Sequence, residues 1–474
     1  MLSFDEYVAV DAVGWAERIR RGEITALEVV DAAIARAERV DPVINAFATR
    51  LFEQARADAS ARPSGPFAGV PWVIKDLFQT IAGAPVTNGS RAYAGVVGAE
   101  DAELIKRYRR AGLVMLGTST SPELGLAATT ESTLHGVTRN PWDLDRTSGG
   151  SSGGASALVA AGVVPAAHAT DGGGSIRGPA SCCGLFGLKP SRGRVPVAPG
   201  RSEGWLGCSA SHAVTRSVRD SAALLDATHG PEPGSRYVAP PPRDTFAKAA
   251  AREPGRLRIA CHWRTHPDVT PDPVCIAAVE DAAALCASLG HEVENVAPEL
   301  DYRSLASAFG ALVVVAVAAE VRSRAAALGR KSIDDLLEET TRELAAYGAG
   351  IHAVDLMAAN DYFMTTALAV AQFQQTYDVI LTPTMGRPPL QIGSASLMQP
   401  AAGYSAATVP FNCFASLQNM TGQPAMTVPL YWAEGLPIGV QFAGRMGEEE
   451  LLFSLAHQLE VARPWFERRP GLLA

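Results

Sequence analysis

Apolar positions along the chain fall into two alternating patterns, one recurring at helical spacing and one packed into short β-branched runs of the kind that form buried strands. Thr25 and Glu28 have the spacing of a capping box, and Leu27, Val30, Ile34 and Ala37 follow on one helical face until Asp41 and Pro42, predicting an amphipathic N-terminal helix. The run GVPWVIK at 69–75 opens on Gly and Pro, continues through apolar residues and delivers Lys75 at a strand edge. A helical pattern at 101–111 leads into a strand-like run at 113–116, and the alternation continues through 155–165. Further strands are predicted at 257–261, 293–296, 377–381, 425–430 and 438–443, with helices over 273–289 and 448–459. Ser332 and Asp335 predict another capped helix, with Ile333, Leu336, Leu337 and Leu344 on one side and an end near Gly348 and Gly350. Such alternation argues for an α/β sheet covered on both faces. No repeat or compositional break divides the chain, and residues 231–255, with three successive prolines at 240–242, read as a surface connection.

Composition narrows the picture. Hydrophobic residues at 47% and charged residues at 19% predict a globular protein with a sizeable core. The net charge of −8 and the lack of a dense basic run leave no electrostatic footprint for nucleic acid. The first residues are acidic where a secretory signal needs a basic start, and the longest apolar stretch, 309–319, falls short of the roughly 20 residues of a spanning helix. That stretch reads as a buried core segment, and the protein as cytoplasmic with no membrane partner. The seven cysteines have no CxxC spacing, and the nine histidines show no HExxH; free thiols and no metal site are expected.

The most unusual stretch is SGGSSGG at 148–154, followed by Ser175 within TDGGGSIRG. Gly/Ser runs are ordinarily linkers, but the alanine-rich flank at 155–161 sets this one between core elements. Glycines beside a nucleophile let successive N–H groups converge on one point. The N–H groups of Gly172, Gly173, Gly174 and Ser175 are placed to hold the oxyanion of a tetrahedral intermediate, where one donor is worth about 3 kcal/mol of barrier. A serine hydroxyl also needs a base. GGSSG at 149–153 matches the GxSxG elbow of α/β-hydrolases, which would make Ser151 the nucleophile of an esterase-like enzyme with His168, His212, His229 or His457 as base. Residues 140–148, however, read as loop rather than as the strand an elbow requires. Lys75 offers another base, since burial at the end of an apolar run brings a lysine from about 10.4 toward roughly 7 to 8. Taken alone, the heptapeptide reads more simply as a strand-end lysine that reaches water or pairs with Asp76.

Together, GVPWVIKDL (69–77), NPWD (140–143), GGSSGG (149–154), DGGGSIRGPASCCGLFGLKPSRGRV (171–195) and TGQPAMTVPL (421–430) resemble the amidase signature family in order and spacing over nearly the whole chain. The resemblance implies a single α/β domain over 1–474, with a large mixed β-sheet sandwiched between α-helical layers. Its catalytic core would lie at about 65–230, with a pocket-completing part at about 256–474. It implies a catalytic Lys75, a bridging Ser151 on a cis peptide and an acylated nucleophile at Ser175, with no metal or organic cofactor. It further implies that Asp171 and Arg177 brace the nucleophile loop and that Ser152 supports Ser151. Three positions depart from the family pattern: Gly172 for threonine, Ser148 for proline before GGSSGG, and Thr118 for lysine in GTSTSPELG at 117–125.

The implied activity is hydrolysis of amide-type C–N bonds through an acyl-serine. Amides, oligoamides and anilides are the expected substrates, and carbamates and esters share the same attackable carbonyl. GPFAGVPW at 65–72, SVRDSAALLDATHG at 217–230 and ARPWFERRPGLL at 462–473 look most like bacterial nylon-oligomer hydrolases. An amidotransferase subunit feeding ammonia to a partner, or a catalytically silent binding protein, are the competing classes. The expected partners are a small amide or carbamate and water, for a monomer or homodimer. Expected pocket walls are Gly125, Leu126, Ala127 and Thr129, the backbone of Gly149 and Gly150, then Ile176 and Trp205, and finally Val313, Val317 and Phe442. They are mostly apolar, which fits an uncharged, hydrophobic substrate.

Overall fold

The computed structural model describes residues 2–197 and 203–471, so residues 472 and 473 of the C-terminal resemblance stretch lie outside the described residues. Its centre is an eight-stranded mixed sheet. From one edge the order is Glu292–Asn295, Arg258–Cys261, Val379–Pro383, Leu436–Ala443, Ala425–Ala433, Phe186–Lys189, Ala210–Thr215 and Ala166–Asp171. The first three strands run parallel and the remaining neighbours pair antiparallel. Every residue of Leu436–Ala443 is buried, because helices cover both faces of the sheet. A second, three-stranded sheet of Phe47–Arg50, Val114–Ser119 and Pro71–Lys75 packs beside the edge strand Ala166–Asp171. This junction brings Lys75 to the nucleophile loop.

The N-terminal helix Ala26–Ile44 opens on the expected Thr25–Glu28 capping box. It runs through Pro42 instead of stopping there. Pro42 lies in the last turn, which the Asn45 N–H closes onto the Asp41 carbonyl, while the Asp41 carboxylate accepts the N–H groups of Ala46 and Phe47. Residues 332–348 also differ from expectation. Ser332 accepts from the Asp334 N–H to start only a 3-10 turn, Asp334–Leu336, and Leu337 is extended, so the helix begins at Glu339.

The apolar stretch 309–319 belongs to the longer helix Tyr302–Ala327, which by length and composition could cross a membrane. It is less buried than a core segment, because one side borders a cavity while the rest packs on the helices Glu339–Gly348 and Ala353–Phe373. Leu305 and Leu312 join Phe363, Val370, Ile380 and Met420 in a second core cluster, apart from the main core around Trp72, Phe186, Phe442 and Phe453. The Pro-rich segment runs along the surface before the short helix Phe246–Ala250.

Candidate active site

All five residues of Pro71–Lys75 are buried, so its last side chain enters the protein instead of reaching water. Lys75 Nζ donates to Ser151 Oγ at 2.7 Å and to Thr170 Oγ1 at 2.9 Å. The Asp76 carboxylate is occupied elsewhere, accepting the Thr87 N–H at 2.9 Å and the Thr87 hydroxyl. Burial drives the Lys75 pKa down to about 7, against the opposing pull of the Asp171 charge, so the side chain is available as a neutral amine near neutral pH.

The Lys75 backbone N–H donates to His168 Nδ1 at 3.2 Å, and burial holds that imidazole neutral at about 3. His212 is likewise buried, lowered to about 3, with Nε2 paired to Ser221 Oγ. Neither ring hydrogen-bonds a serine of the 148–154 run among the described residues.

Ser151 follows a cis Gly150–Ser151 peptide and precedes the helix Gly153–Ala160. Residues 140–148, expected as loop, instead contain the strand Asp143–Thr147, paired with Arg139–Asn140, and residues 148–152 separate it from that helix in place of a tight turn. The sharp strand-to-helix elbow is therefore absent. Ser152 does not hold Ser151. Its hydroxyl accepts the Thr170 N–H at 3.3 Å and donates to the Thr170 carbonyl at 3.2 Å, fixing the residue whose own hydroxyl meets Lys75.

Ser175 stands between the strand Ala166–Asp171 and the helix Arg177–Cys183, half-buried and facing the same cavity as Ser151. Its hydroxyl makes no hydrogen bond among the described residues. The loop is braced by Asp171, which accepts the N–H groups of Gly174 at 2.7 Å and Ile176 at 3.1 Å and both Nε and Nη2 of Arg177 at 3.0 Å. Burial pushes this carboxyl up, but the Arg177 charge and hydrogen bonds, aided by Asn419, hold it well below the usual carboxylate range. Arg177 is itself fully buried and extends to Gln418, Gln441 and Asn419.

One expected oxyanion donor is thereby removed. The Gly174 N–H is spent on Asp171, whereas those of Gly172, Gly173 and Ser175 have no acceptor among the described residues. Gly174 has a second role: its φ of +118° is a conformation that residues with a side chain rarely adopt.

The cavity has a volume of about 690 Å³. Gly125, Leu126, Trp205 and Val317 line it, as expected of them, together with Ser151, Gly172, Gly173 and Ser175. Ala127 packs instead against Ala395, Leu397 and Tyr404, and Thr129 donates to the Ala395 carbonyl. Gly149 and Gly150 are wedged against Pro179 and the Ala127 and Thr129 backbone. Ile176 and Phe442 are fully buried in the main core. The long helix presents Leu312, Val315 and Ala316, and Val313 is not among its lining residues.

Sequence reasoning missed Thr170, although its place five residues before Ser175 on the edge strand was a usable signal. It also missed Phe78, Tyr93 and Leu124. Two carboxylates join the mostly apolar walls: Glu203 and Glu320 border the cavity, Glu203 bonded to Arg236 and Glu320 to the Tyr93 hydroxyl. The described residues contain no His/Cys/Asp/Glu group able to hold a metal ion.

A family model described as Amidase matches residues 28–453. The chain belongs to the amidase family. It is 38% identical over 479 residues to 6-aminohexanoate-cyclic-dimer hydrolase from Paenarthrobacter ureafaciens, spanning 98% of this chain and 97% of that one. A solved structure of a 6-aminohexanoate cyclic dimer hydrolase complexed with substrate superposes with a TM-score of 0.93 at 38% identity, covering 98% of this chain and all of that one. A bacterial aryl acylamidase of the amidase signature family superposes at 0.87 with 27% identity, over 96% of each chain. The protein is thus an amidase-signature hydrolase of non-peptide amide bonds, and these relatives favour neither an ammonia-supplying subunit nor an elbow-type esterase.

Proposed function

We propose that this amidase works through Lys75, Ser151 and Ser175, with Ser175 as the acylated nucleophile and uncharged, largely aliphatic amides and oligoamides as substrates. The observation that carries the reading is the 2.7 Å bond from a fully buried lysine to Ser151, within the cavity that Ser175 faces.

The substrate carbonyl sits with its oxygen toward the N–H groups of Gly172, Gly173 and Ser175. Ser175 Oγ attacks the carbonyl carbon, its proton passes to Ser151 Oγ, and the Ser151 proton passes to Lys75 Nζ. The developing oxyanion takes up the three waiting N–H donors. Collapse breaks the C–N bond, and the leaving amine receives the proton back through Ser151. Water, deprotonated by the same relay, then releases the acid and restores Ser175. The relay requires the Ser175 and Ser151 hydroxyls, which face one cavity, to hydrogen-bond in the reactive complex, a tightening common to catalytic hydrogen bonds.

The predominantly apolar lining and the size of the cavity support cyclic oligoamides of the 6-aminohexanoate kind, which have no charged ends, and aryl amides. Carbamates and esters fit the same acyl-serine chemistry. Seven unpaired cysteines support a reducing, cytoplasmic workplace. A panel of cyclic and linear aminohexanoate oligomers, anilides, primary amides, carbamates and esters, ranked by kcat/KM, tests the substrate reading. Preference for charged primary amides over every aliphatic or aryl amide would overturn it.

A further inference from the structure

Two glycines of the acyl-oxygen loop are each faced by an aromatic ring. A Cβ at Gly172 would stand 3.2 Å from Trp205 Cε3 and 3.3 Å from Cζ3, and a Cβ at Gly173 would stand 2.9 Å from Phe309 Cζ. Neither glycine has the left-handed backbone that would itself call for glycine. Their bare backbones are what let the rings come this close.

The two rings also touch each other, edge to face, with centroids 6.3 Å apart. They come from distant parts of the chain, Trp205 from the connection ahead of Ala210–Thr215 and Phe309 from the helix Tyr302–Ala327. Trp205 and the following Leu206 both have φ of +52°, a strained conformation for side chains of this size, and both line the cavity. Strain at two successive cavity residues is the kind of local cost kept at functional positions.

We propose that Trp205 and Phe309 form an aromatic clamp on Gly172 and Gly173 that determines acyl-group specificity. The clamp lays a flat apolar wall over the loop that receives the scissile carbonyl oxygen. It selects acyl groups whose first carbons are slender and apolar, such as unbranched methylene chains and planar aryl groups. Branched or charged acyl groups cannot lie under the indole without displacing it. Trp205 acts on the acyl group directly, and Phe309 is a positioning residue that acts through Trp205 and the loop. The inference rests on the assignment of Gly172 and Gly173 as acyl-oxygen donors.

The test is a double-mutant cycle with Trp205→Ala and Gly172→Thr, read as the ratio of kcat/KM for hexanoyl 4-nitroanilide to that for pivaloyl 4-nitroanilide. Each single change should lower this ratio by about tenfold, in the range that one or two misfitted methylene contacts supply. Because both changes act on one contact, the double variant should resemble either single one within about threefold, and Trp205→Phe should retain most of the ratio. Multiplying effects near a hundredfold, or a ratio unmoved by Trp205→Ala, would overturn the clamp. If Gly172→Thr does not fold, the ratios of Trp205→Ala and Phe309→Ala decide alone, and no change in either refutes it. Failure of the nucleophile assignment shows differently, as undiminished turnover of both anilides in Ser175→Ala.

Discussion

If neutral Lys75 is the base, the rate must follow its deprotonation, and the structure sets where that occurs. Burial lowers the pKa from 10.5 to about 7. At pH 7.5 an ordinary lysine would be neutral in roughly one molecule in a thousand, whereas one near 7 is neutral in most molecules. Burial therefore enlarges the competent population by nearly three orders of magnitude. For an uncharged anilide, kcat/KM should rise tenfold per pH unit below about 6.5, bend near 7 and level off above 8. Because the group is a base with a lowered pKa, activity is lost on the acid side. Thr170→Val supplies an internal check. The Thr170 hydroxyl accepts a hydrogen bond from Nζ and favours the charged form, so its loss should move the bend to lower pH. Initial rates in constant-ionic-strength buffers from pH 5.5 to 9.5 give both curves, with circular dichroism confirming the fold at each end. A profile flat from 5.5 to 8, or one still rising tenfold per unit at 9.5, would refute Lys75 as a desolvated base.

Replacing Lys75 by Ala should reduce kcat/KM more for anilides than for activated esters of the same acyl group, because an amine leaves only with a proton; equal losses would exclude Lys75 as proton source. Arg177→Met should destabilise the fold by about 3–5 kcal/mol, since it strands the buried Asp171 carboxylate, and a shift of the chemical-denaturation midpoint measures this. Ser152→Ala should cost about tenfold in kcat with little change in KM, because Ser152 grips Thr170 on both its N–H and carbonyl. A large KM effect in that variant would place Ser152 at the substrate instead.

The sheet strands and several helices were legible because their signals are local. Thr25 and Glu28 cap a helix whatever surrounds them, and the runs at 425–430 and 438–443 are apolar enough to be strands in any context. The break in 332–348 was not legible, since extended backbone at Leu337 overrides a plausible cap further upstream. For the site, GGSSGG and Ser175 announced themselves through glycine content, whereas Lys75 was ambiguous alone. What resolves Lys75 is long-range: burial beside Ala166–Asp171, with Ser151 and Thr170 both within 3 Å. The pocket was least legible. Ile176 and Phe442 are as apolar as the true lining, and only the packing of the sheet against its helices sends them into the core. The long helix, by contrast, turns part of an apolar run toward the cavity.

The most direct test of the account is to trap the acyl-enzyme. Incubation with an aryl carbamate, whose carbamoyl-serine hydrolyses slowly, followed by intact-mass analysis and fragmentation of the peptide carrying Ser151 and Ser175, should show one carbamoyl group per chain, on Ser175. That adduct should vanish in Ser175→Ala and form far more slowly in Lys75→Ala. Carbamoylation at Ser151, or an undiminished adduct in Ser175→Ala, would contradict the assignment at its centre.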